Sequence, residues 1–374
     1  MMEHKLIFYP VGNGDCCLLQ FDNGKNMIID FNHTKACEDK DCPKINLREQ
    51  VKKDLNGKNT IDVLALTHID EDHIDGIEEC FELLCHNKYC EGDRIKFKEL
   101  WLPACAVTEQ NLTGTAKIIR DEARYRLKNG LGIKVFSATE KFKEWLEDNN
   151  IDKESIDISY PGEIVKNSLF STNDSVTIFC HTPFKKDGEE EIRNKASVIL
   201  HFSFNCGKNT TKYLAMGDTD WDVISELYER TAYKNNLPYL EWDIFNIPHH
   251  CSYRGLSSEK GTSCTKVDDV NVDSLLKLGR ENSIMIASCN PVEKTETEQP
   301  PHIQAQRCYL KYCNLHNSKF LVTMEYPNKN SPLPIKVAIN ENGYQLEDIY
   351  NKTSSERFGD YLPKSEIAGL NRFG

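Results

Sequence analysis

Residues 67–76 read Thr-His-Ile-Asp-Glu-Asp-His-Ile-Asp-Gly, and they overlap the end of the apolar run Asp62–Thr67. A short apolar run bounded by polar residues is typical of a strand that is buried on both faces. The turn after this strand carries two imidazoles and two carboxylates in six positions: His68, Asp70, Asp72 and His73. Histidine and carboxylate at this density are typical ligands of zinc or manganese. The alternative is a polar loop with an aspartate that caps the following helix, and the density of the motif disfavours it.

Other polar side chains end other predicted strands. They are His181 after Ser175–Cys180, Asp218 after Lys212–Met216, His249 and His250 after Asp243–Ile247, and Asp30 after Met27–Ile29. Functional groups of open sheets gather beyond the ends of strands, where side chains leave the core. Each residue alone has an ordinary explanation as a surface or turn residue. Their repeated position at apolar strand ends predicts that they share one site with His68 and its neighbours.

Composition excludes several classes of protein. The chain has 374 residues, of which 39% are hydrophobic and 28% charged, as in a soluble globular protein. No apolar run reaches the roughly 18 residues that a membrane-spanning helix needs. The 46 basic and 58 acidic residues give a net charge of −12, which argues against a broad basic face for nucleic acid. A phosphate-bearing substrate remains compatible if metal ions supply local positive charge.

The fifteen cysteines and the first residues indicate a cellular compartment. The number of cysteines is odd, and the start MMEHKLIFYPVGNGD lacks the basic and apolar regions of a secretory signal. We therefore expect reduced thiols in a cytoplasmic protein.

The pattern of strands and helices predicts an α/β protein. Three short strands, joined by Gly-Asn-Gly-Asp and Asp-Asn-Gly-Lys turns, open the chain as a hairpin meander. Later strand groups are interspersed with helices, among them Ile74–Cys85, without the strict alternation of a parallel α/β fold. This pattern favours two sheets with helices packed outside. We expect a single domain over residues 1–350 with helical insertions, followed by a polar C-terminal tail over 351–374.

This order of motifs resembles the metallo-β-lactamase fold superfamily, and within it the ComEC-like branch of competence-protein metallohydrolases. That branch carries H-x-D-x-D-H where most of the superfamily has H-x-H-x-D-H, and Asp70 gives the carboxylate version here. The resemblance covers Leu6 to Phe320. It also rests on Asp30, His181, Asn194–Ser197, Met216–Asp218, His249–Ser252 and, more loosely, Asn290 and His302. It implies a four-layer αββα sandwich of two mixed β-sheets flanked by helices.

The resemblance also implies a site for two divalent metal ions, zinc or manganese. His68, Asp70 and His181 would hold the first ion, and Asp72, His73 and one histidine of the 249/250 pair the second. Asp218 would bridge both ions. His249 is the preferred ligand, which leaves His250 for the substrate, although the residues alone do not decide between them. Asp30 would orient a ligand imidazole through its other ring nitrogen.

Such a site predicts a hydrolase that activates water at phosphorus. Asp72 or Asp218 would accept a proton from the water, and His250 or His302 would stabilise charge or protonate the leaving oxygen. A nuclease and a small-nucleotide phosphodiesterase remain open, with nucleic acid or a nucleotide as substrate.

Two alternatives come from other classes. One is an ester, thioester or lactam hydrolase on the same fold, with a pocket shaped by the predicted insertions Leu83–Leu100 and Gly255–Asp273. The other is a non-catalytic, metal-stabilised component of a bacterial defence or toxin system. A protein partner or a homo-oligomer is compatible with each of these readings, and no membrane partner is expected.

Overall fold

A computed structural model describes residues 3–39, 41–166, 175–190 and 193–347 of the chain. The predicted polar tail over 351–374 lies outside the described residues. Within them, two β-sheets stack face to face and helices cover both outer faces. The predicted α/β class and the αββα layering are therefore confirmed.

The first sheet contains nine strands among the described residues, in the order β16-β15-β1-β2-β3-β4-β5-β6-β7. The bounds, numbered along the chain, are β1 His4–Phe8, β2 Cys17–Gln20, β3 Asn26–Ile29, β4 Thr60–Ala65, β5 Lys96–Pro103, β6 Ile133–Phe136, β7 Asp157–Ser159, β15 Ile335–Asn340 and β16 Gly343–Leu346. Strands β1, β2 and β3 form the expected antiparallel meander, and β3 to β7 run parallel.

The second sheet contains seven strands among the described residues, in the order β14-β13-β12-β11-β10-β9-β8. Their bounds are β8 Glu163–Ile164, β9 Val176–Cys180, β10 Leu200–Cys206, β11 Asn209–Ala215, β12 Trp242–Asn246, β13 Gly279–Ala287 and β14 Lys319–Val322. Strands β11 to β14 are parallel, whereas β8 to β11 pair antiparallel. The carboxyl ends of β11, β12 and β13 therefore meet at one edge of this sheet.

Ten α-helices lie in the described residues. Their bounds are α1 Leu47–Asp54, α2 Glu71–Ile74, α3 Ile77–Cys80, α4 Cys105–Thr108, α5 Gly114–Asn129, α6 Glu140–Asp148, α7 Lys185–Glu190, α8 Trp221–Tyr233, α9 Val270–Lys277 and α10 Ile303–Leu315. Buried residues of α1, α3, α5 and α6 pack on the outer face of the first sheet. Those of α8, α9 and α10 pack on the outer face of the second sheet.

The core between the sheets is formed by every second residue of the strands, whose side chains point towards the opposite sheet. Leu6 and Phe8 of β1 share one buried cluster with Phe202 of β10 and Tyr213 of β11. The rings of Phe8 and Tyr213 lie 5.7 Å apart, edge to face. Because side chains alternate between the faces of a strand, the intervening residues pack against the helices instead.

Two sequence-based assignments are corrected. The predicted helix Ile74–Cys85 is instead the two single turns α2 and α3, because Gly76 between them has φ +74°. A side chain at Gly76 would place its Cβ 2.4 Å from the carbonyl oxygen of His33. The predicted insertion Leu83–Leu100 contains much of β5, which lies between β4 and β6 inside the first sheet.

The described residues include all fifteen cysteines, and each carries a free thiol. Among the described residues, no helix has both the length and the apolar character that crossing a membrane requires.

Candidate metal centre

Asp30 anchors the loop that carries the H-x-D-x-D-H motif. It follows β3 with φ 55°, and its carboxylate accepts hydrogen bonds from the Thr67 amide at 2.7 Å and the Thr67 hydroxyl at 2.6 Å. The same carboxylate lies 2.8 Å from Nδ1 of His73. A proton on Nδ1 that is shared with Asp30 leaves Nε2 of His73 directed at the remaining cluster.

The centre of the cluster is Asp218, which follows β11. Its Oδ1 lies 3.2 Å from Nε2 of His73, and its Oδ2 lies 3.2 Å from Nε2 of His250. Nε2 of His250 also lies 3.0 Å from Oδ2 of Asp72. The side chains of His73, Asp218 and His250 are almost fully buried, whereas that of Asp72 is 38% exposed. Asp72 therefore forms the open side of the cluster.

Gly217 allows Asp218 to approach the first sheet. It has φ +56°, and a Cβ there would lie 3.2 Å from Cβ of Thr67 and 3.3 Å from Cβ of Ser197. The strand end of β11 thus packs closely on the loop that holds Thr67, so that ligands from both sheets meet.

The structure places His250, and not His249, in the cluster. Nδ1 of His250 lies 2.8 Å from the carbonyl oxygen of Ser288 and donates a hydrogen bond to it. The lone pair available to a metal ion is then the one on Nε2. The ring of His249 turns the other way, with Nδ1 3.5 Å from Oδ1 of Asp220. The geometry therefore favours His250 over the expected His249 as the candidate ligand.

His68 and Asp70 lie at the other end of the cluster. Nδ1 of His68 contacts the Thr67 hydroxyl at 3.0 Å, and its buried Nε2 has no hydrogen-bond partner among the described residues. Oδ2 of Asp70 lies 3.6 Å from this Nε2, while its Oδ1 accepts a hydrogen bond from Arg193 at 2.6 Å. The guanidinium of Arg193 is held in turn by Glu109, at 2.6 and 3.0 Å.

His181 does not join the cluster. Its Nε2 lies 2.9 Å from the carbonyl oxygen of Tyr239, and its Nδ1 lies 3.2 Å from the Thr231 hydroxyl. Cys180 points into the core between the sheets, so the next side chain along β9 faces the helix layer. The geometry therefore does not support the expected role of His181 as a ligand of the first ion.

His302 also lies outside the cluster. Its Nε2 donates to the carbonyl oxygen of Glu298 at 3.2 Å, and its ring meets the edge of Tyr253. Its backbone amide donates to the carbonyl oxygen of Cys251 at 3.1 Å, which places it beside the loop that carries His250.

Asp15 is a member of the cluster that the motif comparison missed. It is buried in the turn between β1 and β2, and a carboxylate oxygen lies within 4.8 Å of ligand atoms of His73, Asp218 and His250. A second group, formed by His68, Asp72 and His73, satisfies the same distance. The signal was the Gly-Asn-Gly-Asp turn, which the sequence indicates as a hairpin turn near the site, without a ligand role for Asp15.

The pKa values of several side chains in the cluster differ strongly from their usual values. Burial lowers the pKa of the His73 imidazole, but the Asp218 and Asp30 carboxylates outweigh it and hold that pKa well above its usual range. Burial raises the pKa of Asp72, yet the hydrogen bond with His250 prevails and lowers it to about 2. For His68, burial and the neighbouring His73 outweigh the nearby carboxylates and lower its pKa to about 4, so it is neutral at pH 7. The carboxylates of the cluster thus favour a cationic occupant.

No protein-family model matches the chain, and no curated protein matches it significantly. Among solved structures, the chain is similar to unliganded yeast PDE1, with 12% identity, 86% of this chain and 98% of that chain covered, and a TM-score of 0.41. It is also similar to a diphosphatase of the PhnP family, with 14% identity and a TM-score of 0.31; the match covers 81% of this chain and 94% of that chain. A third similar structure is the metallo-β-lactamase GOB-18 from Elizabethkingia meningoseptica, with 12% identity and a TM-score of 0.31; the match covers 83% of this chain and 86% of that chain. Because these TM-scores are below 0.5, the description of the site rests on the geometry of this chain.

Proposed function

We propose that the chain is a metal-dependent hydrolase that acts on a phosphodiester bond. The observation that carries the proposal is a set of buried ligand atoms: Nε2 of His68 has no hydrogen-bond partner among the described residues, and Nε2 of His73 and Oδ1 of Asp218 face each other at 3.2 Å. Such atoms cost free energy when they are left unsatisfied. They belong to side chains that bind divalent cations, and one or two cations would satisfy all three, so the residues fit a metal site.

The proposed ligands follow from these positions. His73, His250, Asp218 and Asp72 would hold one ion, and His68 and Asp70 would hold a second that shares Asp218. Zinc and manganese both suit imidazole and carboxylate, and the three carboxylates favour manganese. When bound, such ions supply Lewis acidity and lower the pKa of coordinated water.

The residues of the chain have separate roles in this proposal. Asp30 keeps Nε2 of His73 directed at the cluster, and the Ser288 carbonyl does the same for His250. Asp72 is the half-exposed carboxylate, so it is placed to accept a proton from an attacking water. His302 would have to reach the leaving oxygen from outside the cluster.

Arg193 supports an anionic substrate. Its guanidinium is 27% exposed and bridges Asp70 and Glu109 at the end of the cluster that holds His68. A fixed cation at this position can contact a phosphate oxygen of a substrate, whereas a neutral carboxylic ester has no charge for it to bind.

The test compares two reactions of the purified chain with Mn²⁺ or Zn²⁺. A generic phosphodiester such as bis(p-nitrophenyl) phosphate should be hydrolysed, and a p-nitrophenyl carboxylic ester should react much more slowly. Asp72→Ala and His73→Ala should lose activity by at least about 100-fold, the range expected for a proton-transfer group, and both should keep the wild-type circular dichroism spectrum.

Three outcomes contradict the proposal. Hydrolysis of the ester alone would favour the ester, thioester or lactam alternative. Bound metal without either activity would favour a non-catalytic module. Loss of the folded state when the metal is lost would make the site structural, unlike a site in a core of this size.

A further inference from the structure

We propose that Asp15 is an additional metal ligand of the centre, contributed by the turn between β1 and β2. This inference rests on the metal site of the proposed function and extends it to a residue outside the H-x-D-x-D-H motif and the strand ends of the second sheet. It also assigns the chemistry of the ion, since a further carboxylate favours a hard divalent ion such as Mn²⁺.

The first support is the environment of the Asp15 carboxylate. The residue is 7% exposed, and one of its oxygens lies within 4.8 Å of ligand atoms of His73, Asp218 and His250. Among the described residues, no lysine or arginine forms an ion pair with it; the carboxyl group is hydrogen-bonded with the Ser288 side chain, and its contact with the Asn246 amide is long, at 3.5 Å. A buried carboxylate normally needs a cation or several short hydrogen bonds. His73 and Asp218, whose Nε2 and Oδ1 atoms lie 3.2 Å apart, belong to the same buried group of side chains.

The second support is the way the turn is held. The amide of Asp15 donates to the carbonyl oxygen of Asp72 at 3.3 Å, which connects the turn to the metal-binding loop. Asn13 joins the turn to the opposite side of the site, because its Oδ1 accepts from the Asn290 amide at 2.9 Å and its Nδ2 donates to the Pro300 carbonyl at 2.7 Å. The carboxylate is therefore positioned before any ion binds, as a ligand should be.

The third support is the packing of Gly14. Its φ is +154°, and a Cβ there would lie 1.9 Å from Nδ2 of Asn32 and 2.7 Å from the carbonyl oxygen of Asp72. The backbone beside Asp15 therefore approaches the metal-binding loop as closely as a glycine allows. A turn that served only to join two strands would not need this approach.

With Asp15 included, each sheet contributes two side chains to this group. Asp15 and His73 belong to loops of the first sheet, whereas Asp218 and His250 follow strands of the second. Binding of the ion should therefore stabilise the packing of one sheet on the other, because a ligand that binds only the native state raises its stability.

The test uses the full chain, stripped with a chelator and titrated with MnCl₂ or ZnCl₂. Free Mn²⁺ is measured by electron paramagnetic resonance, Zn²⁺ binding by calorimetry, and metal-dependent stability by thermal unfolding. Asp15→Asn should weaken Mn²⁺ binding at least about tenfold, the lower end of the losses for changes around a metal site, and should weaken Zn²⁺ binding less. The control is Asp75→Asn, which removes the same charge from a nearby residue that is not in the cluster.

Unchanged affinity of Asp15→Asn for both ions would overturn the proposal, with or without loss of hydrolysis. If this variant does not fold, a crystal structure of the zinc-loaded wild type decides, since a ligand oxygen of Asp15 should lie about 2.0–2.2 Å from zinc. A longer distance would exclude Asp15 as a ligand. If metal binding depends on Asp15 but the protein hydrolyses neither substrate, Asp15 is still a ligand. Only the proposed function is then contradicted.

Discussion

Two adjacent histidines show how much the backbone decides at the scale of single residues. His249 and His250 both have φ 51°, in the left-handed region, and their side chains point in different directions. Only His250 has a carbonyl oxygen, that of Ser288, at a position that turns its Nε2 towards Asp72 and Asp218. The two histidines are adjacent in the sequence, but only His250 faces the cluster.

We expect the two histidines to respond differently to substitution. His250→Ala should lower metal affinity by about 10- to 100-fold or more, because it removes a ligand from a buried site. His249→Ala should change it several-fold at most, since its ring faces Asp220. Metal content after dialysis against a graded chelator measures both, and equal losses would contradict the assignment of His250.

His181 should make the protein sensitive to acid. Burial lowers its pKa from 6.5 to about 4 in the folded state. Because the unfolded chain binds the proton more readily, this contribution to stability is complete above pH 6.5 and is lost as the pH falls through 4. This lowering of the His181 pKa corresponds to roughly 3 kcal/mol of unfolding free energy.

The His181 prediction is measured by urea unfolding at pH 7.5 and pH 4.5. His181→Gln cannot titrate, so its unfolding free energy should fall less between the two pH values than that of the wild type. Parallel losses in both proteins would show that other groups control acid unfolding. Because only the difference between the proteins is used, the remaining histidines and carboxylates cancel.

At the scale of elements, the site is built from strand ends and one hairpin turn. Asp30 and His68 lie beyond the parallel strands β3 and β4, and Asp218 and His250 lie beyond β11 and β12. Parallel neighbours end at the same edge, so their following loops converge. The turn between β1 and β2 adds Asp15 to the same place.

The β1–β2 turn provides a prediction at this scale. Gly14→Ala should lower the unfolding free energy by about 1–3 kcal/mol, because its Cβ would meet Asn32 and the Asp72 carbonyl in a packed region. It should also weaken metal binding by displacing the turn. Gly24→Ala is the matched control, with φ +77° and no atom within 4 Å of the added Cβ.

Gly24→Ala should cost only about 1 kcal/mol of backbone strain and should leave metal binding unchanged. Denaturant unfolding and metal titration measure both variants. An effect of Gly14→Ala no larger than that of Gly24→Ala would indicate that the turn is not tightly held against the metal-binding loop.

For the whole molecule, charge determines which substrates are attracted. The net charge is −12, and the four cations that follow His181 in the chain are already paired with carboxylates. The pairs are Lys185 with Glu140, Lys186 with Glu226, Arg193 with Asp70 and Glu109, and Lys195 with Asp222. These residues therefore do not form a free basic groove for a polyanion, and the partly exposed Arg193 offers no more than a single phosphate contact.

Hydrolysis should accordingly depend weakly on salt. Between about 50 and 200 mM salt, we expect a loss of about tenfold or less for long and very short phosphodiester substrates alike, as for one or two phosphate contacts. A protein with many phosphate contacts loses about 1,000-fold or more over this range. A steep loss confined to long nucleic acid would instead favour a nuclease with an extended binding face.

The sequence by itself determined the αββα layering and which polar residues follow the strands. Strand periodicity and turn residues are local signals, so β1 to β4, β11 and β12 were predictable with the polar residues at their ends. The helix Ile74–Cys85 was not, because the close approach of Gly76 to His33 lies between segments far apart in the chain. The ComEC-like branch stays a prediction.

The tertiary structure alone decided which side chains meet. His181 faces the helix layer because Cys180 faces the core, and Asp15 reaches the cluster because the β1–β2 turn packs on the Asp72 loop. His250 replaces His249 because the Ser288 carbonyl lies at the end of a different strand. Each outcome depends on a contact between segments that are distant in sequence, and such contacts leave no pattern in either segment alone.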